Sequence, residues 1–487
     1  MVKSSGSPRL PAVALTLGLV AAACSSSNQP VVATEEGAAP GTDDVATSSE
    51  APLATIDLSQ LPRGELVDFG VAPTVPEGDY SPEAAAAVDT LIGSGTLASI
   101  FSDEQNAAIE TLGDSGDPRV VWIFMDILRF SQDSTRAQRL VDASNNLTGL
   151  DVSVFNAWNE TTNSLIAWDI PAPPNYVDAK RAVFSTVLPT WGPLFDNSER
   201  MDWRFVSWGG VLIDDRPFDT TDNPCNCIPA ADNPTTQPAA DAAWLDDDDI
   251  VFGVVINGEA RAYPRQIMEV REMVNDTLGG RDFAMPYCTL CGAAQVWFTD
   301  DLPDGIERPV LRTSGLLTRS NKVMYELNTF SIFDTFLGNA QSGPLAEQGI
   351  ELNQHTVVTS SWADWVEAHP NTDVLTEDLA LGRDFDFRNG RDADGPIFPV
   401  GDVDPRLAVQ EDVLGVTTAD GTPLAFHVNT ALAAIERGER VESDGIRILA
   451  DGGGVRAEDL DGNEVVGHQA FWFAWSQFHP STELWPS

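Results

Sequence analysis

The sequence predicts an α+β multidomain chain: an N-terminal all-α domain of helical hairpins, then a mainly antiparallel β domain with a few helices. Three observations carry this expectation. Between residues 78 and 170, capping and proline signals recur ahead of apolar residues at helical spacing. From residue 203 to 487, short β-rich runs alternate with turn pairs such as Asn257-Gly258 and Asp420-Gly421. Pro171, Pro173 and Pro174 open a stretch, residues 171–202, that reads as a linker and docking helix between the two. A chain of 487 residues also exceeds what one ordinary core holds.

At the amino terminus, Lys3 and Arg9 flank the start of a short apolar run, Leu10 to Val20, which Ala21-Ala22-Ala23-Cys24 closes. The run is too short to span a bilayer as a stable helix and reads as a signal peptide. Small residues before Cys24 and Ser25-Ser26-Ser27 after it resemble a bacterial lipoprotein processing site, although Ala21 stands where leucine is usual. Residues 1–24 are therefore expected to be a lipoprotein signal peptide with lipidation at Cys24. The expected location is the cell envelope outside the cytoplasm, with the lipid anchor in a membrane. Residues 25–55 are nearly free of large apolar side chains and read as a disordered tether.

Lys and Arg number 28 against 74 Asp and Glu, a net charge of −46. Such a surface repels phosphate backbones, so nucleic acid is not an expected partner. Its simplest role is to keep an exported chain soluble.

In the front region, Ser81-Pro82 and Asp117-Pro118 each pair a cap with a proline at the first helical position. Behind the second, Val120, Val121, Ile123, Phe124, Ile127 and Leu128 cover a wide helical face. No strict period marks a repeat array, so an irregular bundle is an equal expectation. Trp122 and Trp158 read as core, and Trp191, Trp203 and Trp208 as junction residues.

The β region is organised around Asp246 to Phe298. Ile250 to Ile256, Asn257-Gly258 and Glu259 to Tyr263 give a strong hairpin signal, which Pro264 ends. Gly279-Gly280 turns the chain again. Phe283 to Tyr287 and Ala293 to Phe298 are then strands around Cys288-Thr289-Leu290-Cys291-Gly292, which places two thiols at one hairpin tip.

The motifs NGEARAYP, VNDTLGG and YCTLCG, in this order, resemble the bacterial family catalogued as domain of unknown function 3179. The likeness continues through Ser314-Gly315-Leu316-Leu317, Gly343-Pro344-Leu345, Trp362-Ala363-Asp364-Trp365 and His369-Pro370. Phe398-Pro399-Val400 and the closing Phe471-Trp472-Phe473-Ala474-Trp475 extend it, so it covers roughly residues 203–487. The resemblance implies kinship and carries no activity with it. Arg271-Glu272 stands where the family often has His-Glu, and Phe333 and Thr335 stand where it tends to have Trp and Gln. A ligand of this member is therefore expected to differ from that of its relatives.

Four cysteines follow Cys24, as Cys225-Asn226-Cys227 and Cys288-Thr289-Leu290-Cys291. The second resembles one knuckle of a zinc-ribbon or rubredoxin site, and the two pairs together admit a four-thiolate zinc or iron centre. Export favours disulfides instead, and free or redox-active thiols are the third possibility. One intervening residue makes a bond within Cys225–Cys227 tight, so oxidation is expected to link the two pairs or leave thiols free. Glu259, Arg261, Asn275 and Asp276 are the polar residues nearest the cysteine hairpin and candidates for a pocket, against the plainer reading of an Arg–carboxylate structural pair. Calcium is a weaker candidate, at Asp384, Asp386, Asn389, Asp392 and Asp394, or at Asp459 to Glu464, since neither pattern completes an EF-hand. The five histidines show no ligand spacing of three or four, and no nucleophile elbow or phosphate loop is present.

Two functions are carried forward, the first as the main expectation, beside a purely structural role in which disulfides stabilise a cell-envelope module. One is a binding or accessory module of the cell envelope, which needs no catalytic group. The other is a thiol-dependent redox or metal-binding enzyme centred on Cys288 and Cys291.

Overall fold

Ile250–Ile256 and Glu259–Pro264 pair antiparallel from Val251↔Pro264 to Ile256↔Glu259. Asn257 and Gly258 turn between them at φ 51° and 85°, the left-handed values a two-residue hairpin turn needs. A short helix, Arg265–Arg271, leads to a second hairpin, Met273–Leu278 with Arg281–Cys288, around Gly279-Gly280. The computed structural model describes residues 51–93, 101–131, 134–220, 225–377 and 395–486.

The same design occurs twice. In the first copy the sheet runs Val358–Ser361, Ile250–Ile256, Glu259–Pro264, Asp373–Leu375; in the second it runs Gly467–Phe471, Asp412–Thr417, Pro423–His427, Glu483–Trp485. In both, the last strand joins parallel after a helix, Trp362–Ala368 or Trp472–Phe478. The residues that lock the helix also recur. Trp365 donates its indole N–H to Thr372 Oγ1 at 3.0 Å and stacks near His369; Trp475 donates to Thr482 Oγ1 at 2.8 Å and stacks on His479. Each indole lies over a glycine. A Cβ on Gly253 would come within 2.2 Å of the Trp365 ring, and one on Gly415 within 2.1 Å of Trp475.

Each copy also carries a four-strand antiparallel meander. The second copy's is plain: Val441–Ser443, Ile446–Asp451, Gly454–Asp459, Glu464–Val465. The first copy's carries two additions. A four-residue turn, Thr289 to Gly292, stands where the second copy has only Gly452-Gly453. A longer excursion contributes the hairpin Leu311–Thr318 and Asn321–Glu326 and the strand Ile332–Asp334. The copies grip each other reciprocally. Phe471 N–H donates to Cys291 C=O at 2.8 Å, while Gly453 N–H donates to Ser360 Oγ at 2.8 Å.

The expected architecture, an all-α domain followed by a separate β domain, is not what forms. Five small sheets make a propeller-like set among the described residues, and residues 51–487 are one compact unit. Helices between Pro82 and Val187 do form, but they close no core of their own. Leu91, Leu112, Phe124 and Phe184 share one cluster with Val206, Leu316, Val323 and Tyr325 of the Leu311–Glu326 sheet. The reason is geometric: the helices' apolar faces are wide, and the sheet offers an equally apolar face that would otherwise meet water. Trp191 fastens this junction, donating its indole N–H to Ser314 C=O at 2.9 Å. Trp203 and Trp208 pack beside it, against Phe195 and Phe130.

Residues 51–61 lie along the second copy. Leu53 bridges Arg440, and Ala54, Ile56, Leu58 and Leu61 pack on its cores. No described helix is long and apolar enough to cross a membrane. Cys24 and the Asp384–Asp394 pattern fall outside the described residues.

Gly253→Ala should destabilise the protein by about 1–3 kcal/mol, because a methyl would overpack the Trp365 ring. A thermal midpoint equal to wild type would show that the indole has room to move.

Candidate functional site

The two additions of the first copy meet. Cys288 ends its strand, Cys291 N–H returns to Cys288 C=O at 3.1 Å, and Gly292 completes the turn at φ 61°. Facing them is the tip of the Leu311–Glu326 hairpin, where Arg319 and Ser320 take positive φ of 46° and 69°. Neither thiol is in a disulfide, and both are buried, at 2 % and 0 % exposure.

The surroundings of the two sulfurs differ. Cys288 Sγ accepts the Lys322 backbone N–H at 3.4 Å and the Cys291 thiol, and it lies 3.7 Å from Ser320 C=O. Cys291 Sγ faces acceptors, Ser320 C=O at 3.5 Å and Asn321 Oδ1 at 3.6 Å. Burial works to raise the Cys288 pKa, but the two donated hydrogen bonds outweigh it and hold the thiol below its ordinary value. Ser320 Oγ is buried without a hydrogen-bond partner among the described residues.

Lys322 secures the hairpin from behind. Its ammonium donates to Glu272 C=O at 2.5 Å and lies 3.0 Å from Glu272 Oε2. Burial pushes its pKa down and Glu272 opposes the shift. Glu272 takes φ 48° at the end of its helix, which lets its carbonyl reach both Lys322 and the Tyr287 N–H. Its neighbour Arg271 pairs with Glu377 and does not approach the sulfurs.

The other cysteine pair is elsewhere. Cys225 and Cys227 are bonded to each other, with Cα atoms 5.1 Å apart, where oxidation was expected to link the two pairs or leave thiols free. The segment is held in place by Leu212, whose N–H donates to Asn226 C=O at 2.9 Å. Asp214 lies close enough to both sulfurs to make, with them, a set of three metal-type ligands. Its carboxylate is already occupied: Arg216 Nε donates to Oδ1 at 2.6 Å, and Arg216 Nη2 and Ala230 N–H donate to Oδ2 at 2.9 Å. A cation would have to displace these donors.

The four polar residues expected to line a pocket there do structural work. Arg261 Nη1 donates to Asp276 Oδ2 at 2.6 Å, and Tyr263 O–H shares that carboxylate at 2.7 Å. Asn275 Nδ2 donates to Asp232 Oδ1 at 2.9 Å, and its Oδ1 accepts the Leu311 N–H at 3.1 Å. Glu259 is exposed and accepts the Gly279 N–H at 3.2 Å. At the Asp459–Glu464 turn, Asp459 Oδ1 accepts the Asp461 and Asn463 N–H groups at 2.9 and 2.8 Å, so its carboxylate closes the turn.

Residues 225–460 match the family described as "Protein of unknown function (DUF3179)". These residues belong to this family. The match contains both cysteine pairs, all of the first copy and the start of the second, so the DUF3179 region includes both faces of the thiol site. No curated protein and no solved structure gave a match.

Two cavities flank the site. One, of about 310 Å³, has Asn321 and Lys322 in its wall, with Arg200, Asp334, Phe205 and Phe478 among its other sides. The other, of about 400 Å³, lies between Trp297, Phe336, Trp475, His468 and His479. His468 is buried between two amides, Gln354 Nε2 at 2.8 Å and Gln295 Nε2 at 3.3 Å. Because a neutral ring accepts at one nitrogen and donates at the other, one of these amides presents its oxygen.

Sequence reasoning found Cys288 and Cys291 but missed Ser320, Asn321, Lys322 and Glu272. The only local signal was the polar Arg319-Ser320-Asn321 interruption between two apolar strands.

Burial lowers His468 to a pKa of about 3 and His479 to about 4. Unfolded, each protonates near 6.5, so stability present above that pH should fall as pH drops from about 6.5 toward 3. Asp334, raised to about 6 by burial, acts in the opposite sense. A series of thermal midpoints from pH 7 to 4 should therefore show a shallower acid decline in His468→Asn than in wild type.

Proposed function

We propose that this family member is an exported, lipid-anchored thiol–disulfide redox protein whose working centre is the Cys288–Cys291 dithiol. The observation that carries the reading is the asymmetry at the sulfurs: both lie near Ser320 C=O, but Cys288 also accepts hydrogen bonds from the Lys322 N–H and the Cys291 thiol, while Cys291 also faces Asn321 Oδ1. The first favours a thiolate, the second a thiol.

The chemistry follows from that asymmetry. Cys288 thiolate attacks one sulfur of a substrate disulfide, whose second sulfur leaves as a thiolate and takes a proton. Cys291 then gives up its proton and attacks Cys288, releasing the first substrate sulfur as a thiol. The substrate gains two electrons and two protons, and the pair becomes a disulfide. Two electrons from an external dithiol reset it.

A zinc centre is supported less well. Such sites take nitrogen or sulfur from four ligands, and the neighbours of this pair are a carbonyl and an amide oxygen. A binding or accessory role without turnover is the second reading, favoured by the aromatic cavity of about 400 Å³ around His468 and His479.

Reduced protein treated with a small disulfide should lose two hydrogens at Cys288–Cys291, reversibly, as read by intact mass and peptide mapping. Cys291→Ser should stop at a mixed disulfide on Cys288. Failure of both, with one zinc per chain copurifying and thiols that label only after chelation, would replace the redox reading with a metal site. For the anchor, metabolic acyl labelling should mark the wild type and leave Cys24→Ala unlabelled; equal labelling would remove that claim.

A further inference from the structure

The cavity of about 310 Å³ shares two wall residues with the polar surroundings of the dithiol. Asn321 and Lys322 both line it, and they are the residues whose Oδ1 and N–H contact Cys291 and Cys288. Asn321 is 1 % exposed, with its Oδ1 turned to the Cys291 sulfur at 3.6 Å.

The charges on the cavity wall are divided between occupied and available groups. Lys322 is paired with Glu272, and Asp202 holds Arg204 through both carboxylate oxygens. Arg200 makes no hydrogen bond or ion pair with any described residue and is exposed at the rim. Asp334 uses one oxygen, Oδ1, to accept the Phe336 and Leu337 N–H groups at 2.8 and 2.9 Å. Its second oxygen has no partner among the described residues. One available cation and one available anion thus share a small chamber, with Met201, Phe205 and Phe478 supplying apolar wall between them.

We propose that the substrate of the dithiol is a low-molecular-weight zwitterionic disulfide of amino-acid size. Arg200 takes its carboxylate, Asp334 takes its ammonium, and Asn321 swings aside to admit its S–S bond to Cys288. The volume suits a molecule of this size and is at the lower end for ligand sites, too small for a folded protein loop. The inference rests on the redox reading above. Each turnover reduces one such disulfide to two thiols and leaves Cys288–Cys291 oxidised, with the same balance of electrons and protons.

The test compares three disulfides of similar size with the reduced protein: cystine, which carries both charges, cystamine, which is cationic, and dithiodiglycolate, which is anionic. Oxidation of Cys288–Cys291 is followed by quenched intact mass. Cystine should react fastest, by roughly tenfold, a ratio set by one charge-assisted hydrogen bond. Arg200→Gln should slow cystine and dithiodiglycolate but not cystamine, and Asp334→Asn should slow cystine and cystamine but not dithiodiglycolate. Asn321→Ala should accelerate all three. Equal rates for the three reagents, or an unchanged preference in both charge variants, would overturn the substrate class and leave the redox centre standing. No oxidation by any reagent, in wild type or in Asn321→Ala, would overturn the redox centre as well.

Discussion

The centre of this protein depends on a fully buried guanidinium. Arg312 donates from Nη1 and Nη2 to the two oxygens of Asp232 at 2.7 and 2.5 Å, and its Nε lies 3.7 Å from Asp214, which holds Arg216. Asn275 joins the same Asp232. Charges taken out of water are costly unless paired and hydrogen-bonded, and losing one partner strands the other. The network therefore ties three distant stretches together: the 212–232 segment, the Met273–Cys288 hairpin and the Leu311–Glu326 hairpin. That last hairpin packs through Leu316, Val323 and Tyr325 into the core of the helices, and through Leu311 and Met324 into a second cluster with Met273 and Trp297.

From that fixed hairpin the thiol site follows. One end of the strand pair is held by Arg312, and the other projects Ser320, Asn321 and Lys322 over the cysteine turn. The Lys322–Glu272 pair sets the distance from behind, so a backbone N–H falls on Cys288 and oxygen acceptors fall on Cys291. A thiol at the tip of an isolated hairpin would be solvated and symmetric with its partner. Here burial and directed hydrogen bonds make the two chemically different.

The repeated design explains where such a site can arise. In the second copy, the turn equivalent to the cysteine turn is Gly452-Gly453, seated against Ser360 and Asp364. In the first copy, the matching turn is seated against Phe471 and is longer by the residues that bring in the thiols. Helix, indole, glycine and threonine are common to both copies and make a stable frame. Turn and excursion are particular to one, and the chemistry lies there. Thr289 and Leu290 stay half-exposed, while both thiols are buried.

The sequence by itself determined the local elements. Asn257-Gly258 could form a hairpin because its backbone tolerates positive φ twice, and Ser81-Pro82 and Asp117-Pro118 could start helical turns because cap and proline suit those positions. It also placed Cys288 and Cys291 together, since a short turn leaves them little choice. Tertiary structure alone decided that helices and sheet share one core, because the partner of an apolar face is not written in its period. It decided that Arg261 and Asp276 pair for structure while Glu272, only four residues before Asp276, serves the thiol site. It decided, too, which sulfur receives a backbone N–H. Those outcomes rest on contacts such as Lys322 with Glu272, fifty residues apart, and spacing along a chain carries no information about which distant groups will meet.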